Sequence, residues 1–257
     1  MDENIWRTLG RSQIMIQCIF WTLCIYVCDF DLVFECFDDS VIQFIILFTC
    51  VYHQICAIRN FYCAIHTSSI VKPISKKEKE EKNILNTTEC KKCGIIRPSR
   101  SHHCSVCEKC IEKLDHHCYF LNNCVGRKNY KFFFSYLFLS MINSIIMIVL
   151  GVFRFYLYKQ KEMEKLNKMK YIKFNLEFLI NFPIKVILLE LISIPTFIGC
   201  VYLLIYHLFL ININQTTLER KYPSLYIKDP SKKDKSFCEK CSEILENENW
   251  LNIYWLE

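Results

Sequence analysis

Four apolar runs separated by polar stretches set out the plan of this chain. Gln13 to about Phe34 is apolar until Asp29 and Asp31, and Val41 to about Ile58 is apolar until it closes at Arg59. Phe132 to Phe153 is rich in aromatics and carries no charge, and Ile184 to Ile211 is interrupted only by Lys185, Glu190 and His207. A helix needs about 20 residues to cross the hydrocarbon core of a bilayer, and each run is close to or beyond that length. The pattern predicts an all-α polytopic membrane protein with four transmembrane helices. The first two, with a short luminal turn between them, occupy 13–64; the third is 132–153 and the fourth 184–211.

The polar stretches orient these spans. Residues 1–12 carry Arg7 and Arg11 with no signal-peptide cleavage pattern after them, so they read as a cytosolic N-terminus. The turn after the first span holds Asp29, Asp31, Glu35, Asp38 and Asp39 without a lysine or arginine, and so faces away from the cytosol. Residues 154–183 form a lysine-rich luminal loop that, taken alone, runs against the positive-inside tendency. Only seven of the 32 Lys and Arg lie there, however, and with Lys185 set aside 24 remain on the side the plan makes cytosolic. Both termini are then inside, and the 65–131 segment between helices 2 and 3 and the 212–257 C-terminal region are cytosolic. The run Ser75 to Asn83, SKKEKEEKN, reads as a solvated linker. Two Asn-x-Ser/Thr sequons, at Asn86 and Asn214, fall on the cytosolic side and are expected to carry no glycan.

Composition agrees with this plan. Of 257 residues, 52% are hydrophobic and 15% aromatic, with only 5 glycines, which speaks against a small soluble domain. The net charge of +6 comes from lysines interleaved with acids, which suits basic loops at an anionic membrane face better than a nucleic-acid partner. Seventeen cysteines would suggest disulfides in a secreted domain. Their paired spacing in the centre of the chain suits thiolate ligation of metal in a reducing compartment instead.

That centre runs from Cys90 to Asn129 and holds seven cysteines and four histidines. Cys90-x2-Cys93 followed by Gly94 has the form of a zinc-knuckle hairpin, two thiolates on one turn with a glycine to permit it. Cys104-x2-Cys107-x2-Cys110 offers a second. A structural zinc takes four ligands, so two sites need eight, and the segment supplies more than eight donors. Spacing leaves open which residues stay free. A ligated thiolate is quenched, whereas a free one beside a histidine is a nucleophile. Cys118 follows directly on His116 and His117, with Asp115 upstream, and Asp, His and Cys are the parts of a thiol-activating triad. The competing reading makes every one of these a structural ligand, in a catalytically silent, zinc-braced membrane scaffold that recruits partners.

The run Cys90-x2-Cys93-x3-Arg97-Pro98-x-Arg100-x2-His103-Cys104-x2-Cys107-x2-Cys110-x4-Asp115-His116-His117-Cys118, then Asn122-Asn123-Cys124-Val125-Gly126-x2-Asn129, closely resembles the DHHC protein S-acyltransferases. The resemblance implies two structural zinc ions, one held by Cys90, Cys93, His103 and Cys110 and the other by Cys104, Cys107, His117 and Cys124. It leaves Cys118 as nucleophile, with His116 as its general base and Asp115 orienting that histidine. The implied enzyme is a protein-cysteine S-palmitoyltransferase. Cys118 takes a fatty acyl group from palmitoyl-CoA and passes it to accessible cysteines of membrane-associated proteins at the cytosolic face of the ER, Golgi or plasma membrane, without ATP or a redox cofactor. Arg97, Arg100 and His102 are similar to the basic patch that holds the CoA head group. Phe133, Tyr136, Ser140 and Asn143, at helical spacing on the third span, are placed to line the acyl cavity, where Asn143 leaves room for a palmitoyl chain. Thr216-Thr217-Leu218-Glu219 resembles the family's TTxE element, and independently reads as a capping box with Thr216 at the N-cap. Asn249 to Leu256 looks like the family's aromatic C-terminal segment.

The chain departs from the family pattern at Tyr119-Phe120, where Pro-Trp is usual. It also lacks an Asp-Pro-Gly element around Ser68 to Pro73. Cys238-x2-Cys241 has no family counterpart and reads as reduced thiols or a site of S-acylation.

Overall fold

The computed structural model describes Val33, residues 39–75, Lys77, and residues 87–168, 184–225 and 236–244. The first expected span, Asn86 and the 249–256 segment lie outside the described residues, apart from Val33.

Among the described residues three long helices carry the second, third and fourth apolar runs. Helix α1 is Ser40–His66, α2 is Tyr130–Lys168 and α3 is Ile184–Asn212. Each contains a stretch long and apolar enough to cross a membrane: Ser40–His66, Tyr130–Lys161 and Val186–Asn212. Large apolar side chains such as Phe44, Phe48, Leu191 and Ile198 are exposed along them, which suits contact with lipid rather than water. Asp39 from the acidic turn caps α1, its Oδ1 accepting from the amides of Val41 (2.8 Å) and Ile42 (3.1 Å).

The helices overrun the hydropathy boundaries. Helix α1 continues past Arg59 and α2 past Phe153, because apolarity marks where lipid begins and ends, whereas backbone hydrogen bonding can propagate through charged residues. Helix α2 thus takes in the first half of the expected 154–183 loop.

The all-α expectation needs correction in the cysteine-rich segment, which folds as three separate two-stranded antiparallel hairpins. These pair β1 (Thr88–Cys90) with β2 (Ile95–Arg97), β3 (Ser101–Cys104) with β4 (Lys109–Glu112), and β5 (His116–Cys118) with β6 (Asn123–Val125). Strands of three or four residues are too short to show a period-2 pattern, so the tight turns rather than hydrophobic alternation define them. Each turn contains one residue in the left-handed region, Gly94 (φ 65°), Glu108 (φ 53°) and Asn122 (φ 49°).

The described residues belong to two compact units. One comprises the described parts of Ile58–Tyr136 and Leu204–Glu257, and so joins the hairpins to the last turns of α1, the first turns of α2 and the last turns of α3. The other draws on Cys18–Ala57 and Leu137–Leu203. In it Val33, Cys50 and Leu150 pack with Ile46 and Ile146.

In the first unit, side chains from the hairpins finish α1. The last carbonyls of a helix have no partner within it. Here Asn123 Nδ2 donates to the carbonyls of Ala64 (3.2 Å), Ile65 (2.9 Å) and Thr67 (3.1 Å). Buried Asn129 adds a bond to Ala64 O (3.0 Å) and one to Cys124 O (2.9 Å), while its Oδ1 accepts from the Gly126 amide (2.9 Å) and Ser69 Oγ (3.2 Å). Gly126 must lack a side chain, since a Cβ there would lie 2.7 Å from Glu112 O and 2.8 Å from Ile111 Cγ2. The linker is pinned at its start: the Val71 amide donates to Cys110 O and the Ile74 amide to Ile96 O.

After α3, the short helix α4 (Thr217–Lys221) begins with the capping box read from the sequence. Thr216 Oγ1 accepts from the Glu219 amide (3.2 Å) and Glu219 Oε2 from the Thr216 amide (2.9 Å). A 3-10 turn, Pro223–Leu225, and helix α5 (Phe237–Ile244) complete the described chain. Because Asn129 uses both its donors and its acceptor in a buried position, Asn129→Ala is expected to cost about 2–4 kcal/mol. A lowered melting temperature of the detergent-solubilised chain would report it, and an unchanged one would contradict the junction described.

Candidate active site

The three hairpins interleave to gather two sets of metal-type donors. Cys90 and Cys93 from the first turn meet His103 and Cys110 from the second hairpin. Cys104 and Cys107 from the second turn meet His117 and Cys124 from the third. Within each set the donor atoms all lie within 4.8 Å of one another. Sulfur to imidazole Nδ1 separations are 3.8 Å (Cys90 to His103), 3.2 Å (Cys93 to His103), 3.8 Å (Cys104 to His117), 3.3 Å (Cys107 to His117) and 3.5 Å (Cys124 to His117). Sulfur pairs are 3.7 Å apart (Cys93, Cys110) and 3.4 Å apart (Cys107, Cys124). Tetrahedral zinc with bonds near 2.3 Å to sulfur and 2.0 Å to nitrogen has edges of roughly 3.5–3.8 Å, so three thiols and one imidazole at these spacings fit it. Both clusters can therefore hold a metal ion, each through the Nδ1 of its histidine.

Of the seven cysteines in the segment, Cys118 alone stands outside both clusters. It sits at the end of β5, partly accessible, with His116 on the same strand hydrogen-bonded to its sulfur. His116 Nδ1 lies 2.7 Å from Asp115 Oδ2. Burial alone would raise the Cys118 thiol, but the hydrogen bond and charge of His116 outweigh it and hold the thiol below its ordinary value. Burial would lower His116, yet the hydrogen bonds of Asp115 and Cys118 raise it to about 9. Asp115, which burial would push up, is held below the carboxylate range by the same histidine. The same contact thus favours the proton on the imidazole and negative charge on the sulfur.

Asp115 is fixed from the far end of the chain. Its Oδ1 accepts from the Thr217 amide (2.9 Å), its Oδ2 from Thr217 Oγ1 (2.8 Å), and its carbonyl from the Leu218 amide (3.1 Å). The same turn holds Arg100, whose Nε and Nη2 make a bidentate pair with fully buried Glu219 at 2.8 and 2.7 Å. Arg100 also donates to Asn214 through Nη1 (3.1 Å to Oδ1) and Nη2 (3.0 Å to the carbonyl). Of the other residues expected at the CoA head group, Arg97 donates to Thr88 Oγ1 (3.1 Å) and lies 3.9 Å from Cys110 Sγ. His102 is buried, with Nε2 unpaired.

The structure adds two residues that the sequence reading did not single out. His207 of α3 is buried with its ring 6.3 Å from that of His116 and 5.2 Å from that of Phe133, and Tyr130 O–H lies 2.9 Å from His207 Nδ1. Phe133 in turn packs edge-on to His116 at 5.4 Å. His207 was visible only as an interruption of the fourth apolar run; a histidine inside such a run is itself a signal of function. On the other side of Cys118, Phe120 packs against Phe61 (5.5 Å) and Tyr136 (6.1 Å), and Tyr119 against His117 (5.0 Å). Phe133 and Tyr136 are buried in this unit, and Ser140 and Asn143 are buried in the other.

The described residues thus bring together two Cys3His donor sets, a cysteine outside both that is paired with a histidine and a buried aspartate, and helices long and apolar enough to cross a membrane. The family model described as DHHC palmitoyltransferase matches residues 83–222. This chain belongs to that family. It is 39% identical over 137 residues to palmitoyltransferase ZDHHC20 of Mus musculus, covering 51% of this chain and 34% of that protein. It is 35% identical over 144 residues to palmitoyltransferase ZDHHC15 of Rattus norvegicus, covering 56% and 38%. It is 31% identical over 140 residues to probable protein S-acyltransferase 6 of Arabidopsis thaliana, covering 53% and 31%. The match thus spans about a third of the length of these curated relatives.

Replacing the Asp115 carboxylate removes the charge that keeps His116 protonated without touching a cluster donor. Asp115→Asn is expected to slow alkylation of Cys118 at neutral pH about 100-fold while the metal content of the chain is unchanged. Mass-mapped iodoacetamide kinetics and elemental analysis on the same sample check both halves.

Proposed function

We propose that this chain is a protein-cysteine S-palmitoyltransferase that works through a Cys118 acyl-enzyme. The observation that carries the reading is that Cys118 is the one cysteine of the segment outside both clusters and the one paired with His116 and Asp115.

In the first half-reaction the Cys118 thiolate attacks the carbonyl carbon of a palmitoyl-CoA thioester. The bond from carbon to the CoA sulfur breaks, and the leaving thiolate takes the proton held by His116, giving free CoA and an acyl-Cys118 beside a neutral imidazole. In the second, a substrate cysteine gives its proton to His116 and attacks the acyl-enzyme, so that Cys118 leaves as thiolate and the resting pair is restored. Thioester is exchanged for thioester in both steps, a double-displacement pattern. In this reading each Cys3His cluster holds a structural zinc, which braces the hairpins and pins His117 between His116 and Cys118.

The head group's phosphates suit guanidinium donors. Arg97, Arg100 and His102 are the head-group contacts of this reading, with Arg100 oriented by Glu219 and Asn214. The acyl chain lies against Phe133 and Tyr136. The partners are membrane proteins with cysteines at the cytosolic face, on the ER, Golgi or plasma membrane. The topology is four spans with both termini inside and both sequons unmodified. Asn214, with its side-chain oxygen accepting from Arg100, favours that last point.

Incubating the purified chain with labelled palmitoyl-CoA is expected to give a hydroxylamine-labile label that Cys118→Ser abolishes. An unlabelled parent that keeps its metal would support the silent scaffold instead.

A further inference from the structure

The cluster donors repeat at a fixed interval. Cys90, Cys93, His103 and Cys110 recur 14 positions later as Cys104, Cys107, His117 and Cys124. A further step of 14 reaches Cys118, Leu121, Lys131 and Phe138. The backbone keeps the same interval. The first cysteine of each turn pairs with the residue five further on, Cys90 with Ile95, Cys104 with Lys109 and Cys118 with Asn123. The left-handed residues Gly94, Glu108 and Asn122 follow the same step. So do the amides that hold the sulfur. Cys90 accepts from the amides of Lys92 and Cys93, Cys104 from that of Cys107 (3.4 Å), and Cys118 from those of Phe120 and Leu121. The third hairpin is therefore a metal-binding knuckle in backbone, register and amide-to-sulfur bonding. It differs in its side chains, with fully buried Leu121 in place of the second thiol and no donor at the two later positions.

We infer that the third hairpin is a knuckle kept free of metal, in which Leu121 is the positioning residue that leaves Cys118 unligated while the Phe120 and Leu121 amides hold its sulfur as they would a metal-bound thiolate. The same turn that presents a ligand twice presents a nucleophile the third time, with Leu121 standing where the turn's second thiol would be. The inference builds on the reading of Cys118 as nucleophile. It predicts a latent site: a thiol at position 121, with Cys118 and His116, makes a three-ligand set with an open fourth position, the pattern of catalytic zinc centres.

The test uses the full chain in detergent with a phosphine reductant. After equilibration with micromolar zinc and desalting, the parent is expected to retain two zinc ions per chain and Leu121→Cys three, with Cys118→Ser in the Leu121→Cys background returning to two. Alkylation of Cys118 in Leu121→Cys should slow about tenfold or more with zinc present, since a ligated thiolate is quenched, and recover with a mild chelator. Leu121→Val should keep two zinc ions and the parent's zinc-independent rate. Where Leu121→Cys fails to retain the first two ions, Leu121→His supplies the donor instead, with the same expectation. Two zinc ions and zinc-independent alkylation in a folded donor variant would overturn the inference. A third zinc in a chain that takes no acyl group would sustain it and sink the acyltransferase reading alone.

Discussion

A carboxylate that is 2% exposed survives in a protein only when its lone pairs are met by donors. Asp115 meets this demand with His116 on one side and the amide and hydroxyl of Thr217 on the other. Thr217 lies 102 residues along the chain from Asp115, so the charge that orients the imidazole also ties the third hairpin to the turn after α3. Arg100 and Glu219 repeat the tie one residue pair away, across 119 positions. Such a buried pair is weak evidence of net stability, because desolvation offsets much of the attraction. Its geometric consequence is firmer: with a planar guanidinium held at two points, the second hairpin cannot turn relative to α4 without breaking the ion pair with Glu219.

The two donor clusters join the same hairpins to one another. Each joins two neighbouring hairpins, so β3, β4, β5 and β6 cannot shift without changing donor separations that are a few ångströms long. His117 belongs to a cluster while its neighbours His116 and Cys118 do not. On a strand successive side chains point to opposite faces, which sends His117 to one side and His116 and Cys118 to the other. In the proposed assignment structural donor and reacting groups thus alternate along three residues without competing for the same ion.

Much of this was legible in the sequence, for reasons that are local. Cysteine pairs two residues apart, the capping box at Thr216 and Glu219, and long apolar runs each depend on residues close in sequence. The residue set of each cluster became readable through a family resemblance joined to a count of ligands. The contacts that cross the chain were hidden. Nothing near Arg100 announces Glu219, and nothing near Tyr130 announces His207, since both pairings exist only once α3 has returned to the hairpins. The first two hairpins were readable from their cysteine pairs, while the third was hidden, its strands being too short to show a hydrophobic pattern. The 14-residue interval was present in the letters, yet it carries meaning only when register and turn conformation are seen to share it.

The central claim is a division of labour, in which eight residues bind metal and Cys118 remains free to react. Native mass spectrometry of the intact chain after exposure to palmitoyl-CoA tests it in one observation, with fragmentation to place the adduct. The account predicts a species carrying two zinc ions and one palmitoyl group together, the group on Cys118. An adduct confined to molecules that have lost a zinc ion, or placed on one of the six cluster cysteines, would contradict it.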